Sequence, residues 1–148
     1  MNAATLQATV REATFDDLPS VVAAIIAMRE DTVWRHLPFT PNAEYIGQRI
    51  LADLQQPQHH CWVAEEEGQI VGVCGVELVH QRFIPDFLFV QEWALWVLPS
   101  RRGEGLAYQL WEAAKDWGHA AGAHGDIHGQ PMAHGEYLKM TWWGEPHV

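Results

Sequence analysis

The sequence predicts an α+β fold, a mixed but mainly antiparallel sheet flanked by helices, and three observations carry that expectation. Residues 60–65 and 69–79 are β-branched and apolar runs separated by the polar turn Glu66-Glu67-Gly68, which is a hairpin signal. Residues 88–98 form a long apolar run stopped by Pro99-Ser100, the candidate central strand. Residues 104–121 then place Leu106, Leu110, Ala114, Trp117 and Ala121 on one helical face, ending at Gly122. With 148 residues, 48% of them hydrophobic, the chain is long enough for one domain over 1–148 with a real core and too short for two ordinary ones.

The remaining elements follow from the same periodicities. A short strand pattern over 8–14 precedes Asp16-Asp17, a helix start, and Leu18, Val21, Val22, Ile25 and Met28 then recur at helical spacing. Residues 33–41 hold two prolines and no period, a loop, after which Asn42 can cap a helix carrying Tyr45, Ile46, Ile50, Leu51 and Leu54. Residues 81–87, with Pro85, read as a connection. Beyond Gly122 the pattern gives a short strand over 124–128, a short helix over 132–139 and a last strand beginning at Thr141-Trp142-Trp143.

Charge and hydropathy exclude several partners. Nine basic against nineteen acidic residues leave a net charge of −10, which repels phosphate backbones and anionic headgroups, so neither nucleic acid nor a membrane surface is expected. The longest apolar run, 21–28, is far below the ~20 residues of a membrane span, and the first ten residues hold no signal-peptide stretch. A soluble, cytoplasmic protein is the expectation. Cys61 and Cys74 are too few for a disulfide scaffold and lack zinc spacing. A two-residue loop at Glu67-Gly68 would set them opposite one another, a longer loop would shift the register, and two reduced, buried thiols are the favoured reading.

The richest segment is the strand-to-helix turn Trp96-Val97-Leu98-Pro99-Ser100-Arg101-Arg102-Gly103-Glu104-Gly105-Leu106-Ala107. Such a turn points free backbone N–H groups at one spot, and the helix dipole adds a positive bias there of about half a charge. Glycines at 103 and 105 let the backbone approach a diphosphate, and Arg101 with Arg102 place two of the chain's few cations beside it. A dinucleotide fingerprint would need a glycine where Tyr108 stands, and a triphosphate loop would need a Gly-Lys-Ser/Thr ending. The competing reading is a plain turn whose glycines relieve strain and whose arginines are merely solvated.

Arg102-Gly103-Glu104-Gly105-Leu106-Ala107 resembles the (Gln/Arg)-x-x-Gly-x-(Gly/Ala) acyl-CoA motif of the Gcn5-related N-acetyltransferases (GNAT), and Val97-x-Pro99 resembles the end of their fourth strand. Val10-Arg11-Glu12-Ala13-Thr14 with Asp16-Asp17-Leu18 is similar to the family's first strand and helix. Val63-Ala64-Glu65 through Gly68-Gln69-Ile70-Val71-Gly72 is similar to its second hairpin, and Ala133-x-x-x-Tyr137-x-Lys139 to its late motif. The resemblance implies a GNAT-like acyl-CoA N-acyltransferase fold and transfer of acetyl from acetyl-CoA, as co-substrate, to an amine of a small molecule or peptide. It implies a diphosphate held from Arg102 to Ala107, with a pantetheine arm paired along Leu95, Trp96 and Val97 like an added strand. An N–H of that strand would face the thioester oxygen as charge develops there. Gln130, in place of the family's usual asparagine, is expected on the cofactor side. No metal is implied. Family members continue into a seventh strand, whereas five residues follow Trp143, so the sheet is expected to be shortened at its C-terminal strand, with an edge that a homodimer could cover.

Acetyl transfer needs a neutral amine, yet an alkyl ammonium of pKa ~10.4 is almost wholly protonated at neutral pH. Glu92 on the central strand is the first candidate base and Glu77 on the preceding strand the second; each could instead face solvent, and a strand bulge would change the face that Glu92 occupies. Tyr137 matches the family tyrosine that protonates the departing thiolate, a near-balanced transfer for a phenol of pKa ~10. Trp34, Arg35 and His36 occupy the loop where the family forms its acceptor pocket. His119, His124, His128 and His134 lack ligand spacing and read as solvated, and Trp62, Trp93, Trp96, Trp111 and Trp117 read as packing. The alternative to an enzyme is a catalytically silent binding or structural module of the same fold.

Overall fold

The computed structural model describes residues 8–38, 40–132 and 135–144, and gives the backbone alone for Val33 and for residues 129–132 and 135–139. Six strands form one sheet in sequence order: β1 (Thr9–Glu12), β2 (His59–Glu66), β3 (Gln69–His80), β4 (Leu88–Val97), β5 (Gly125–Met132) and β6 (Gly135–Trp142). Every neighbouring pair is antiparallel except β4 with β5, so the sheet is mixed and β4 is an inner strand. Helices α1 (Leu18–Glu30) and α2 (Ala43–Leu54) cover one face, and α3 (Leu106–Ala120) covers the other. Among the described residues no helix is long and apolar enough to cross a membrane.

Alternation along the strands builds two cores. Trp62, Ala64, Cys74, Val76 and Val90 meet Leu106, Leu110 and Ala114 of α3, while Cys61, Val63 and Val73 meet Val21, Val22 and Ala24 of α1 and Ile50 of α2. Gly118 breaks the helical propensity of α3 at a cost of about 1 kcal/mol, but a Cβ there would collide with Val90 and Trp143, so the glycine sets how closely α3 sits on the sheet. Asn42 caps α2 as its sequence implies, accepting from the Tyr45 amide at 3.0 Å.

Arg11 joins β1 to β2 and to the start of α1. Its guanidinium grips both oxygens of the buried Asp17, at 2.8 and 2.9 Å, and Glu65 at 2.6 Å. The hydrogen bonds from Arg11 hold the Asp17 carboxyl at about 2. A carboxyl depressed by folding stabilises fully above its unfolded pKa, near ~4, and ceases to do so as pH falls through its folded value. Denaturant midpoints should therefore drop between about pH 4 and pH 2 by about 1–2 kcal/mol, discounted because Arg11 is a third exposed. That drop should be absent in Asp17→Asn, and an equal drop in the variant would remove Asp17 as its source.

Two bulges set the register. The β2–β3 turn is the two-residue loop Glu67-Gly68, both at positive φ. The ladder slips by one residue between Ala64 and Glu65, so Cys61 faces Gly75 and Cys74 faces Trp62. The Cys61–Cys74 opposition that a two-residue loop alone would set therefore does not occur; the two thiols are free and buried, and lie on opposite faces. In β4, Gly75 pairs with Ala94 and Val76 with Glu92, which leaves Trp93 as an inserted residue. Its ring lies over Gly75, where any Cβ would collide with it.

The C-terminal part corrects the sequence reading. Residues 132–139 are not a helix: β5 and β6 pair from Gly125↔Trp142 to Met132↔Gly135. Pro131 and Gly135 are poor helix formers, and the antiparallel ladder satisfies the backbone that a short helix would have left half unpaired. The strand expected over 124–128 is accordingly longer, Gly125–Met132.

Candidate active site

Gly103 and Gly105 both have positive φ, +85° and +84°, the region that only glycine enters without strain. They turn the chain from β4 into α3, whose first internal bond is Gln109 N–H to Gly105 O at 3.0 Å. The amides of Gly103, Glu104, Gly105, Leu106, Ala107 and Tyr108 donate to no backbone carbonyl among the described residues. The turn therefore presents the row of free donors that a diphosphate requires, at the positive end of a fifteen-residue helix.

The two arginines are placed differently from one another. Arg101 is clamped by Glu66 of the β2–β3 hairpin and by Glu104 at 2.8 Å, so it braces the turn. Arg102 donates to the Val97 carbonyl at 2.9 Å and to Asp31 at 2.5 Å. Asp31, just past α1, also accepts from the Trp96 indole at 3.2 Å, and the Arg102 hydrogen bond is the main cause of its lowered pKa. Sequence reading missed Asp31 because it lies far from the motif in the chain.

Beyond the turn, β4 is bare on one side. Its pairing with β5 is limited to Phe89↔Gly125, Val90↔Asp126 and Gln91↔Ile127. Among the described residues the β5-facing edge from Glu92 to Val97 is unpaired, forming a fork whose first residues on its two arms are Glu92 and His128. Leu95, Trp96 and Val97, with Met28, Asp31, Thr32, Arg102 and Ala107, enclose a groove of about 280 Å³ along this edge. The groove shares Met28, Thr32 and Leu95 with a larger cavity of about 600 Å³ between β4 and the α1–α2 layer.

The larger cavity has walls of Ile25, Ile26, Trp34, Tyr45, Ile46 and Trp93, with Glu92 among its few charged residues. Trp34 lines it. Arg35 and His36 do not; they are exposed and bonded to each other at 3.2 Å. Trp93 and Trp96, read as packing residues, pack on the α1–α2 core and also line the cavity and the groove.

The two candidate bases differ in their access to the cavities. Glu77 shares the α1–α2 side with its ladder partner His59, 3.5 Å away, and lines none of the described cavities. Glu92 lines the large cavity and also reaches His128 Nδ1 across the fork at 3.2 Å. His128 was expected to be solvated; instead its side chain is 19% exposed, with Nε2 3.0 Å from Asp126 and the edge of Trp111 against its ring. Burial works against the imidazolium, but Asp126 and Glu92 together outweigh it and raise His128 to about 9. His124 stacks on Phe87 and Trp142, and His119 packs on Trp143, so these histidines are not simply solvated either. His134 lies outside the described residues. Gln130 and Tyr137 are ladder partners on β5 and β6, and their side chains lie outside the described residues. No cluster of His, Cys, Asp or Glu fit for a metal occurs among the described residues.

A family model described as the acetyltransferase (GNAT) family matches residues 25–140. The chain belongs to the GNAT acetyltransferase family. The match spans the amide turn, the fork and both cavities of this GNAT chain, and it supports acetyl transfer as the general chemistry. No curated protein matches the chain in sequence. Solved structures share the GNAT fold. A predicted acetyltransferase of Clostridium acetobutylicum with acetyl-CoA superposes with a TM-score of 0.73 at 15% identity, covering 84% of this chain and 81% of that one. Glucosamine-6-phosphate N-acetyltransferase of Arabidopsis thaliana gives 0.66 at 15% identity, covering 86% and 84%. An aminoglycoside acetyltransferase from an uncultured soil metagenomic sample, in complex with sisomicin, gives 0.63 at 19%, covering 85% and 78%.

Proposed function

We propose that this chain is an acyl-CoA-dependent N-acyltransferase that moves acetyl from acetyl-CoA to an amine carried on an apolar body. One observation supports this most: the free-amide turn, the bare edge of β4 and the apolar cavity form one continuous path that meets at Leu95. The diphosphate takes the amides between Arg102 and Ala107, and Arg101 keeps that turn in shape through Glu66 and Glu104. The pantetheine arm pairs with Leu95, Trp96 and Val97, as a strand would. Gln130 flanks it from β5.

The acceptor occupies the larger cavity, with Trp34 on its wall. Glu92, which lines that cavity, takes the proton from the ammonium; Glu77 has no comparable access. The freed amine attacks the thioester carbon, the C–N bond forms, the C–S bond breaks, and the electron pair leaves on sulfur. Amides at the β4 bulge stabilise the oxyanion, and Tyr137 is the proton donor that the family motif nominates for the thiolate. The apolar walls argue for alkyl or arylalkyl amines. Polycations such as the sisomicin bound by the metagenomic neighbour need many acidic partners, which these walls do not offer.

Thiol release from acetyl-CoA across arylalkylamines, alkylamines, peptides and aminoglycosides tests the reading. Apolar primary amines should accelerate release at least ~10-fold over aminoglycosides, the scale of a few buried methylenes. Tight acetyl-CoA binding with no acceleration by any amine would replace the enzyme with a silent binding module.

A further inference from the structure

The fork carries a polar cluster of which the transfer reaction, as described so far, uses only Glu92. Glu92 and His128 are the first residues past the last β4–β5 pair, one on each arm. Glu92 is only 15% exposed at its side chain and Asp126 only 4%, and each has an oxygen without a well-aligned hydrogen bond apart from its close contact with His128. Two carboxylates that close to one imidazole, with little water, cannot both remain charged unless the ring between them is a cation.

The anchoring of Asp126 is itself built. Its other oxygen accepts from the Trp143 indole at 2.5 Å, and Gly118 lets α3 approach closely enough to seat Trp143. From α3, Trp111 presses edge-on against the His128 ring, and the Lys115 cation acts on Asp126. From β3, Cys74 feels the Glu92 charge. The β6 side chains opposite His128 lie outside the described residues. The ring is thus fixed by Asp126 and Trp111, and its free choice of position is gone before it meets Glu92.

We infer that His128 is a positioning residue for Glu92: anchored by Asp126, it holds the Glu92 carboxylate at the vertex of the fork, charged and ready to take the acceptor's proton. The inference rests on the transferase reading above. The ammonium nitrogen sheds two protons in all. Glu92 takes the first, which frees the lone pair that forms the C–N bond, and the nitrogen releases the second to water after attack. The C–S electron pair leaves on sulfur, the thiolate takes a proton from Tyr137, and Glu92 returns to carboxylate by passing the first proton through water to the Tyr137 phenolate, so that the net release is the one proton given to water. His128 keeps its proton throughout, so the cluster passes from a net charge of −1 to 0 and back. Without His128 it would start at −2, two like charges with no cation between them.

The test is the pH dependence of kcat/KM for acetyl transfer to an apolar amine, with His128→Gln and Asp126→Asn compared to the unaltered chain. The acid limb should move upward by at least about one pH unit in His128→Gln, and should not move upward in Asp126→Asn, which removes a negative charge from the cluster, with the KM for acetyl-CoA nearly constant. A merely structural histidine would lower the rate at every pH and leave the limb in place. Imidazole NMR of the unaltered chain gives a readout independent of turnover: His128 should stay cationic to about pH 8, and Glu92→Gln should lower its midpoint. An unmoved limb alongside normal turnover, or a His128 midpoint near ~6.5 that Glu92→Gln does not change, overturns the inference and leaves the transferase reading intact. Absence of any turnover by the unaltered chain overturns both.

Discussion

Gly105→Trp is expected to abolish acetyl-CoA binding while the chain remains folded. Gly105 sits at φ +84°, and a Cβ there meets no atom within 4 Å, so an indole is accommodated without unpacking either core. The backbone strain of a non-glycine residue costs about 1–2 kcal/mol. The amide turn is another matter. Each charge-assisted bond from an N–H to a diphosphate oxygen is worth about 1.5–3 kcal/mol, so covering two or three of them should weaken binding by at least ~100-fold. Calorimetric titration with acetyl-CoA measures the loss, and far-ultraviolet circular dichroism with a thermal midpoint tests the fold. Retained affinity in a folded variant would move the cofactor away from this turn.

Glu92→Gln should lower kcat by about 10²–10⁴-fold, the usual contribution of a positioned general base, with little change in the KM for acetyl-CoA. The amide keeps the shape of the cavity wall and removes the proton acceptor. Glu77→Gln is the control. Its carboxylate pairs with His59 on the α1–α2 face and lines none of the described cavities, so its kcat should stay within about 3-fold. Equal losses in both variants would deny Glu92 the role assigned to it.

What the sequence disclosed, and what it hid, divides along the range of the interactions involved. The glycine turn was readable because left-handed backbone leaves a local mark, and Gly103 and Gly105 are where it falls. The β2–β3 loop was readable for the same reason. Neither bulge was, because a strand with an extra residue shows the same apolar alternation as one without; only the ladder reveals that Trp93 is inserted and that Cys74 slips past Cys61. Asp31 reaches Arg102 across the structure from the far end of α1, and no motif links two residues that distant in sequence. His128 sits in a stretch rich in glycine and proline, whose strand character comes from pairing with β4 and β6 rather than from propensity. The same tertiary override put Met132 and residues 135–139, expected in a helix, into strands. Trp34 was named from its loop position and lines the large cavity, whereas Arg35 and His36 share the loop and line neither cavity.

The single-residue slip in the β2–β3 ladder also decides how the chain meets oxidants. Because Cys61 belongs to one layer and Cys74 to the other, a bond between their sulfurs would have to pass through the sheet itself. Burial pushes the Cys61 thiol up to about 12 and Cys74 well above its ordinary value, so neither forms the thiolate that peroxide or an alkylating reagent attacks. The hairpin beneath the groove is therefore insulated from redox chemistry by geometry and by desolvation alike, and mild oxidation should leave its fold untouched.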